Sequence, residues 1–358
     1  MVADQAVITS GNLATARRTV SGILGLLNLF AASDELARAL ITDAGLPPRA
    51  LQEPDFPVSL AQDLTVTQAV VKMTAITRSP ARALFEQRQH FGIEHLGVLG
   101  MAMRHAATAV DALNICLSYP QLTGGHSRLV VRRSEDLSLF SFSMERPVLR
   151  DVSDSDIDAL VQHCLVMDLL STLRNIEDIV ETPEAPLYIH FAFAQPADWL
   201  ELRGELPCVV IFDQEQTCLA YPGLIDDTPL PGANLLLFRT YTSIAEKLSL
   251  MLAEDVTLTE RVSRWLWAYS PPLRRGEIAR QLAISERTLT RQLQAEGSSY
   301  AHLLATVQGE RARTFLRNRA LTVAEIGYRL GYSEPAAFTR AFSKWTGLSP
   351  LKWRQQYQ

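Results

Sequence analysis

An α+β domain followed by an all-α domain is the fold class that this 358-residue sequence predicts, and three observations predict it. Apolar residues recur at helical period through most of the first 120 residues, and strand-like runs then appear between 126 and 220. From about residue 253 every periodic segment is helical. Two of these segments repeat one pattern, GEIARQLAISERTLTRQLQAE at 276–296 and TVAEIGYRLGYSEPAAFTRAFSKW at 322–345. Charge is split as well: residues 251–358 hold 16 Lys+Arg against 9 Asp+Glu, leaving 18 against 30 in residues 1–250, while the whole chain carries only −5. The predicted domains are therefore 1–252 and 253–358.

In chain order, Arg17 and Arg18 precede an apolar run at 20–33 that imitates a signal peptide. The run is too short to span a bilayer and continues at helical period, so it reads as a buried helix. Leu36, Leu40 and Ile41 share a helical face that stops at Gly45, and Pro47-Pro48 with the PDFP of 54–57 marks a loop. Helices are expected around 64–77, 80–89, 97–104 and 108–118. His126–Arg133 and Leu137–Glu145 alternate apolar and polar around Ser134-Glu135-Asp136, which predicts a β-hairpin. Asp154–Asn175 is a helix with an acidic first turn and an inner face of Ile157, Leu160, Val161, Cys164, Leu165, Asp168 and Leu169. Strand-like runs recur at Leu187–Phe193, Cys208–Phe212 and Thr217–Ala220, with a helix expected at Pro196–Leu202. This makes five strands. A loop at 223–232 then leads into a helix from about Ala233 to Ala253.

The basic half begins with a helix at Thr259–Tyr269, ended by Pro271-Pro272. In the first repeated unit, Ile278, Ala279 and Leu282 form an inner face, and Ala279 and Ala283 are small where two helices must approach. Ser285 is placed to cap the next helix, whose apolar side is Leu289 and Leu293. Tyr300–Asn318 is a connecting helix containing Gly309. In the second unit, Thr322 and Glu325 have capping-box spacing, Gly331 supplies a turn and Ser333 is expected to cap a helix with Pro335 in its first turn. Phe338, Phe342 and Trp345 form that helix's core side. Each unit thus reads as a helix-turn-helix, a shape whose second helix the DNA major groove admits.

On the first such helix Glu286, Arg287, Thr290 and Arg291 occupy the groove-facing turns; on the second, Glu334, Ala336, Thr339 and Arg340 do. Arginine bonds guanine O6 and N7 in bidentate fashion, threonine meets a thymine methyl or a phosphate, and glutamate accepts from cytosine N4. The first helix carries more donors, so it is expected to discriminate sequence while the second adds affinity.

The sequence contains no G-x-S-x-G, P-loop or H-E-x-x-H, so catalysis is not expected, nor is a metal or cofactor. Four cysteines, Cys116, Cys164, Cys208 and Cys218, form no C-x-x-C pair and read as reduced, buried thiols of a cytoplasmic protein. A rival reading is a DNA-repair protein whose cysteine accepts a methyl group. It requires a four-cysteine cluster or a Pro-Cys-His sequence, and here Pro207-Cys208 is followed by Val209.

Residues 256–354 resemble the AraC/XylS family of bacterial transcription regulators, most strongly along AEIGYRLGYSEPAAFTRAFSKWTGLSPLKWR. The departures are Trp353, where the family usually has Tyr, Gly327, where a larger small residue is usual, and Gln308 with Gly309, where Arg is frequent. Residues 20–240 look like the arabinose-binding-type domain of ornithine-utilisation-type regulators, through GIEHLGVLGMAMRHAATAVDAL at 92–113 and the segment at 191–222. The resemblance implies a small-molecule effector and dimerisation through 1–252, promoter DNA bound by 253–358, activation of transcription and hence contact with RNA polymerase, and no membrane. The effector's identity is not readable. Arg128, Tyr188, His190 and Trp199 are polar or aromatic residues near strands that are expected to line its pocket.

Overall fold

The structure, a computed structural model, describes residues 6–9, 17–76, 79–133, 137–147, 149, 152–180, 185–199, 206–222, 229–252, 257–269, 271–282, 284–317 and 321–356. The chain divides into two compact units. The larger comprises 8–131 and 138–254; the smaller is built on 255–358, with 1–7 and 132–137 grouped with it.

The elements begin with β1 (Ala6–Thr9), β2 (Arg18–Thr19), α1 (Ser21–Phe30), α2 (Asp34–Asp43), β3 (Pro57–Val58), α3 (Leu60–Thr74), α4 (Pro80–Glu86), α5 (Gly97–Arg104) and α6 (Ala109–Ser118). They continue with β4 (Arg128–Arg133), β5 (Leu137–Ser143), α7 (Asp154–Ile179), β6 (Tyr188–His190), β7 (Val209–Ile211), β8 (Thr217–Pro222) and α8 (Leu235–Leu252). Side-chain caps set many of the helix starts: Ser33, Ser59, Ser79, Thr108 and Ser153 each accept from an N–H in the first turn, and Ser59 with Gln62 forms a full capping box. The run at 20–30 is a buried helix, with Ile23, Leu26 and Leu27 packed on Ile41, Leu46, Val66 and Val70. No helix among the described residues is long and apolar enough to cross a membrane.

A six-stranded sheet has the order β1-β4-β5-β8-β6-β7, and β2 with β3 makes a separate ladder. β6 runs parallel to β7 and antiparallel to β8, with Ile189 opposite both Val210 and Leu219. The count differs from the five strands expected. β1, β2 and β3 have two to four residues each, too few for a period of two to show in sequence. The turn at 134–136 lies outside the described residues, as do the last three residues, 200–202, of the helix expected at 196–202. Its first residues form a turn closed by Trp199 N–H on Pro196 C=O at 3.1 Å. α7 runs four residues past the expected end, to Ile179.

The smaller unit is helical: α9 (Leu258–Ala268), α10 (Arg275–Gln281), α11 (Glu286–Ala295), α12 (Tyr300–Arg317), α13 (Val323–Arg329), α14 (Pro335–Thr346) and α15 (Pro350–Gln356). Helices α10–α11 and α13–α14 form the two helix-turn-helix units, and α12 connects them. Around the second unit Phe315, Ile326, Leu330, Phe338, Phe342 and Trp353 form one buried cluster. Trp353 meets Phe342 edge to face at 6.0 Å with Arg317 over its ring, so the larger indole is fully used here.

Candidate nucleic-acid interface and interior cavity

α11 starts where Ser285 accepts from Thr288 N–H at 3.1 Å. Leu289 and Leu293 are fully buried, one turn apart, which turns Arg287 and Arg291 outward. Both arginines are exposed and make no hydrogen bond or ion pair among the described residues. Thr290 donates its hydroxyl to Glu286 C=O at 2.8 Å. Glu286 is engaged too: Arg275 Nε donates to its Oε2 at 2.7 Å, across the turn from α10. Its carboxylate therefore braces the two helices of the unit.

α14 starts differently from expectation. The residue at its N-cap is Glu334, not Ser333, and no side chain caps it. Proline occupies the first helical position and has no N–H to satisfy, so the boundary falls immediately before Pro335. Glu334, Ala336 and Arg340 are exposed, and Thr339 is half-buried, donating to Pro335 C=O at 3.1 Å. Arg340 makes no hydrogen bond or ion pair among the described residues. The turn before this helix carries Gly331 at φ +87°, a conformation that favours glycine. A Cβ on Gly327 would come within 3.2 Å of Phe338 Cβ, which accounts for glycine where α13 and α14 cross. Ala283 lies outside the described residues.

Three polar clamps hold this frame. Buried Gln308 donates to Leu330 C=O at 2.7 Å and accepts from Tyr332 OH at 3.0 Å, tying α12 to the second turn. Buried Arg311 donates to the carbonyls of Tyr269 and Trp267 and so closes the end of α9. Glu296 accepts from the N–H groups of Leu258 and Thr259 at 2.9 and 2.7 Å, which links the end of α11 to the start of α9. Burial opposes its charge, but these bonds hold its carboxyl below the ordinary 4.5. Gln308, at a position where arginine is frequent in the resembling family, thus serves as an internal tie.

In the larger unit a cavity of about 130 Å³ is lined by α1, α3, α6, α7, β4, β5 and the loops around 91–96 and 120–127. Asp63 is buried there between Arg18, at 2.8 Å, and His126 Nε2, at 3.2 Å. Burial works against ionising Asp63, yet His126 and Arg18 bring its pKa below the usual value. Asp168 is buried as well. Its Oδ2 accepts from the N–H groups of His126 and Ser127 and from the Ser127 hydroxyl, at 2.5–2.9 Å, which fixes the turn entering β4. Burial raises its pKa.

None of Arg128, Tyr188, His190 and Trp199 lines this cavity. Arg128 is exposed on β4. Tyr188 and His190 stack on each other at 4.2 Å on β6, next to the edge strand β7. Trp199 packs against Phe85 and Phe212 in an aromatic cluster. A sequence signal for the cavity does exist: Asp168 falls in the apolar stripe of α7, and Asp168, Ser171, Thr172 and Asn175 follow at i, i+3, i+4 and i+7, all facing the cavity. Burial pushes the thiols of Cys116, Cys208 and Cys218 up to about 12, 11 and 11, the opposite of what a methyl-accepting thiolate needs.

Comparison with known proteins finds two family matches along the chain. The helix-turn-helix domain family matches residues 278–356, and the family described as the arabinose-binding domain of AraC transcription regulators matches 37–230. The chain is 27% identical to the ornithine utilization regulator of Pseudomonas aeruginosa, over 92% of this chain and 94% of that one. It is 30% identical to the HTH-type transcriptional regulator VirS of Mycobacterium tuberculosis, over 74% and 75%. The crystal structure of the transcriptional regulator CdpR from Pseudomonas aeruginosa aligns with 90% of this chain and 98% of its own, at 21% identity and a TM-score of 0.45. The matched N-terminal domain spans more than half of the chain and is followed by the double helix-turn-helix, so this protein belongs to the AraC/XylS family of transcriptional regulators.

Proposed function

We propose that the protein is a cytoplasmic, sequence-specific transcriptional activator without catalytic activity, whose binding to promoter DNA is gated by a small molecule held in residues 1–252. Residues 253–358 read the DNA. The observation that carries this reading is the pair of exposed, unpartnered arginines, Arg287 and Arg291, one turn apart on a helix whose opposite face is buried. Thr290 supports them on α11. On α14, Arg340 is the main contact, with Ala336 and Thr339 beside it and Glu334 at the helix start. Glu286 serves by bracing Arg275. Two protomers present four such helices to two half-sites, and bound activator contacts RNA polymerase.

Dimerisation is assigned to the larger unit. On α8, Phe238, Thr242, Ala245, Ser249 and Leu252 are buried, while Leu236, Ile244 and Met251 form an exposed apolar stripe on another face. Apolar stripes of this kind mark contact surfaces.

The test is binding-site selection with the full chain. Arg287→Ala or Arg291→Ala should weaken binding by about 1–3 kcal/mol and relax preference at one base pair. An unchanged sequence profile in both variants would overturn direct readout by α11.

A further inference from the structure

The cavity of the larger unit contains one ionic arrangement that is complete and one that is not. Asp63 faces two cations, Arg18 and His126. Asp168 makes no ion pair among the described residues, and His126, whose charge does act on it, is already paired with Asp63. All three of its hydrogen bonds fall on Oδ2, so Oδ1 accepts nothing there. Two turns further along the same face of α7, Asn175 is 8% exposed and its Oδ1 is buried with no partner. A buried carboxylate without an ion-pair partner of its own and a buried amide oxygen without a donor are both costly unless something fills the space between them. Ser171 and Thr172 lie between them on α7, and the apolar walls are Leu26, Leu29, Phe91, Leu129, Phe142 and Met167. The volume, about 130 Å³, is near that of cavities that accept a molecule the size of benzene. Seven residues of helix separate Asp168 from Asn175 by about 10 Å.

We infer that this cavity binds a small amino compound: its ammonium group sits on Asp168 Oδ1, a short apolar body lies against the leucines and phenylalanines, and a hydroxyl or second amine at its far end donates to Asn175 Oδ1. The ligand supplies the ion-pair partner that Asp168 lacks and the donor that Asn175 lacks. Burial already raises the pKa of Asp168, so its ionised form gains most from a cation brought to it. This assignment rests on the reading of the larger unit as an effector-binding one.

Three compounds of one length separate the alternatives: 5-aminopentan-1-ol, pentane-1,5-diol and 5-hydroxypentanoate. Calorimetry on the full chain should show the amine binding at least about tenfold more tightly than the diol, and the carboxylate not binding. Asp168→Asn keeps an acceptor for the 126–127 turn and should erase the preference for amine over diol. Asn175→Asp should shift preference toward pentane-1,5-diamine by about tenfold relative to 5-aminopentan-1-ol, which decides the matter should Asp168→Asn fail to fold. Binding of none of the compounds, equal binding of amine and diol, tighter binding of the carboxylate, or an amine preference that Asp168→Asn (if folded) or Asn175→Asp leaves unchanged overturns the assignment. DNA affinity measured with and without the compounds addresses the underlying reading separately. Amine binding that leaves DNA affinity unchanged removes effector gating and keeps the site. A tightly bound carboxylate that alters DNA affinity keeps gating and removes the amine class.

Discussion

Arg287 and Glu286 are neighbours in sequence with opposite circumstances. The arginine is free in solvent, whereas the glutamate is held by Arg275 from the preceding helix. In the same selection experiment, Glu286→Ala should therefore leave the base profile intact and cost less than about 1 kcal/mol of stability, the usual worth of an exposed ion pair. A change of specificity in Glu286→Ala would show that its carboxylate reaches a base instead. The outward position of Arg287 and Arg291 was legible in the sequence because Leu289 and Leu293 fix the buried side of the helix. The engagement of Glu286 was not, because its partner lies eleven residues away across a turn. The same limit hid Gln308, whose partners at 330 and 332 come close only after the second unit folds. Asp63, Arg18 and His126 likewise meet across gaps of 45 and 63 positions, which no periodicity encodes.

At the level of elements, the helices announced themselves best, since capping serines and threonines stand beside long apolar periods. α9, α11, α13 and α7 all begin at such a side chain. Two- and three-residue strands carry no such signature, and their pairing comes from neighbours distant in sequence. α14 shows how two start signals compete: Ser333 offers a cap, but Pro335 sets the boundary one residue later. Glu296 gives this scale a prediction. Its carboxylate bonds the open N–H groups of α9, and its pKa is lowered by those bonds. A carboxyl depressed in the folded state contributes stability that is present above its ordinary value of 4.5 and is lost as pH falls through its lower folded value. Denaturation of the full chain at a series of pH values should show Glu296→Gln less stable than the parent at neutral pH, with the two curves converging in acid. A difference that persists undiminished below both values would locate the effect elsewhere.

For the whole molecule, the split of charge and the change from mixed to all-helical periodicity were enough to anticipate two units, because both are averages over a hundred residues or more. How copies associate is a surface property, and the proposed seam on α8 answers to a direct test. Ile244→Asp and Met251→Asp alter exposed side chains, so the fold should persist, while sedimentation should show a dimeric parent and monomeric variants. A monomeric parent would remove the seam. The connecting helix α12 has a further effect beyond joining the two helix-turn-helix units. It has 18 residues, hence a length of about 27 Å, and Gln308 and Arg311 lock it to the elements on either side. Successive openings of the major groove on one side of a straight duplex recur every ~34 Å. A stiff strut shorter than that repeat cannot stretch, so the double helix yields: operators should curve toward the protein and favour pliable pyrimidine–purine steps between the two contacted segments. Gel mobility of circularly permuted operator fragments reads that curvature, and a straight operator would show that the strut, not the duplex, gives way.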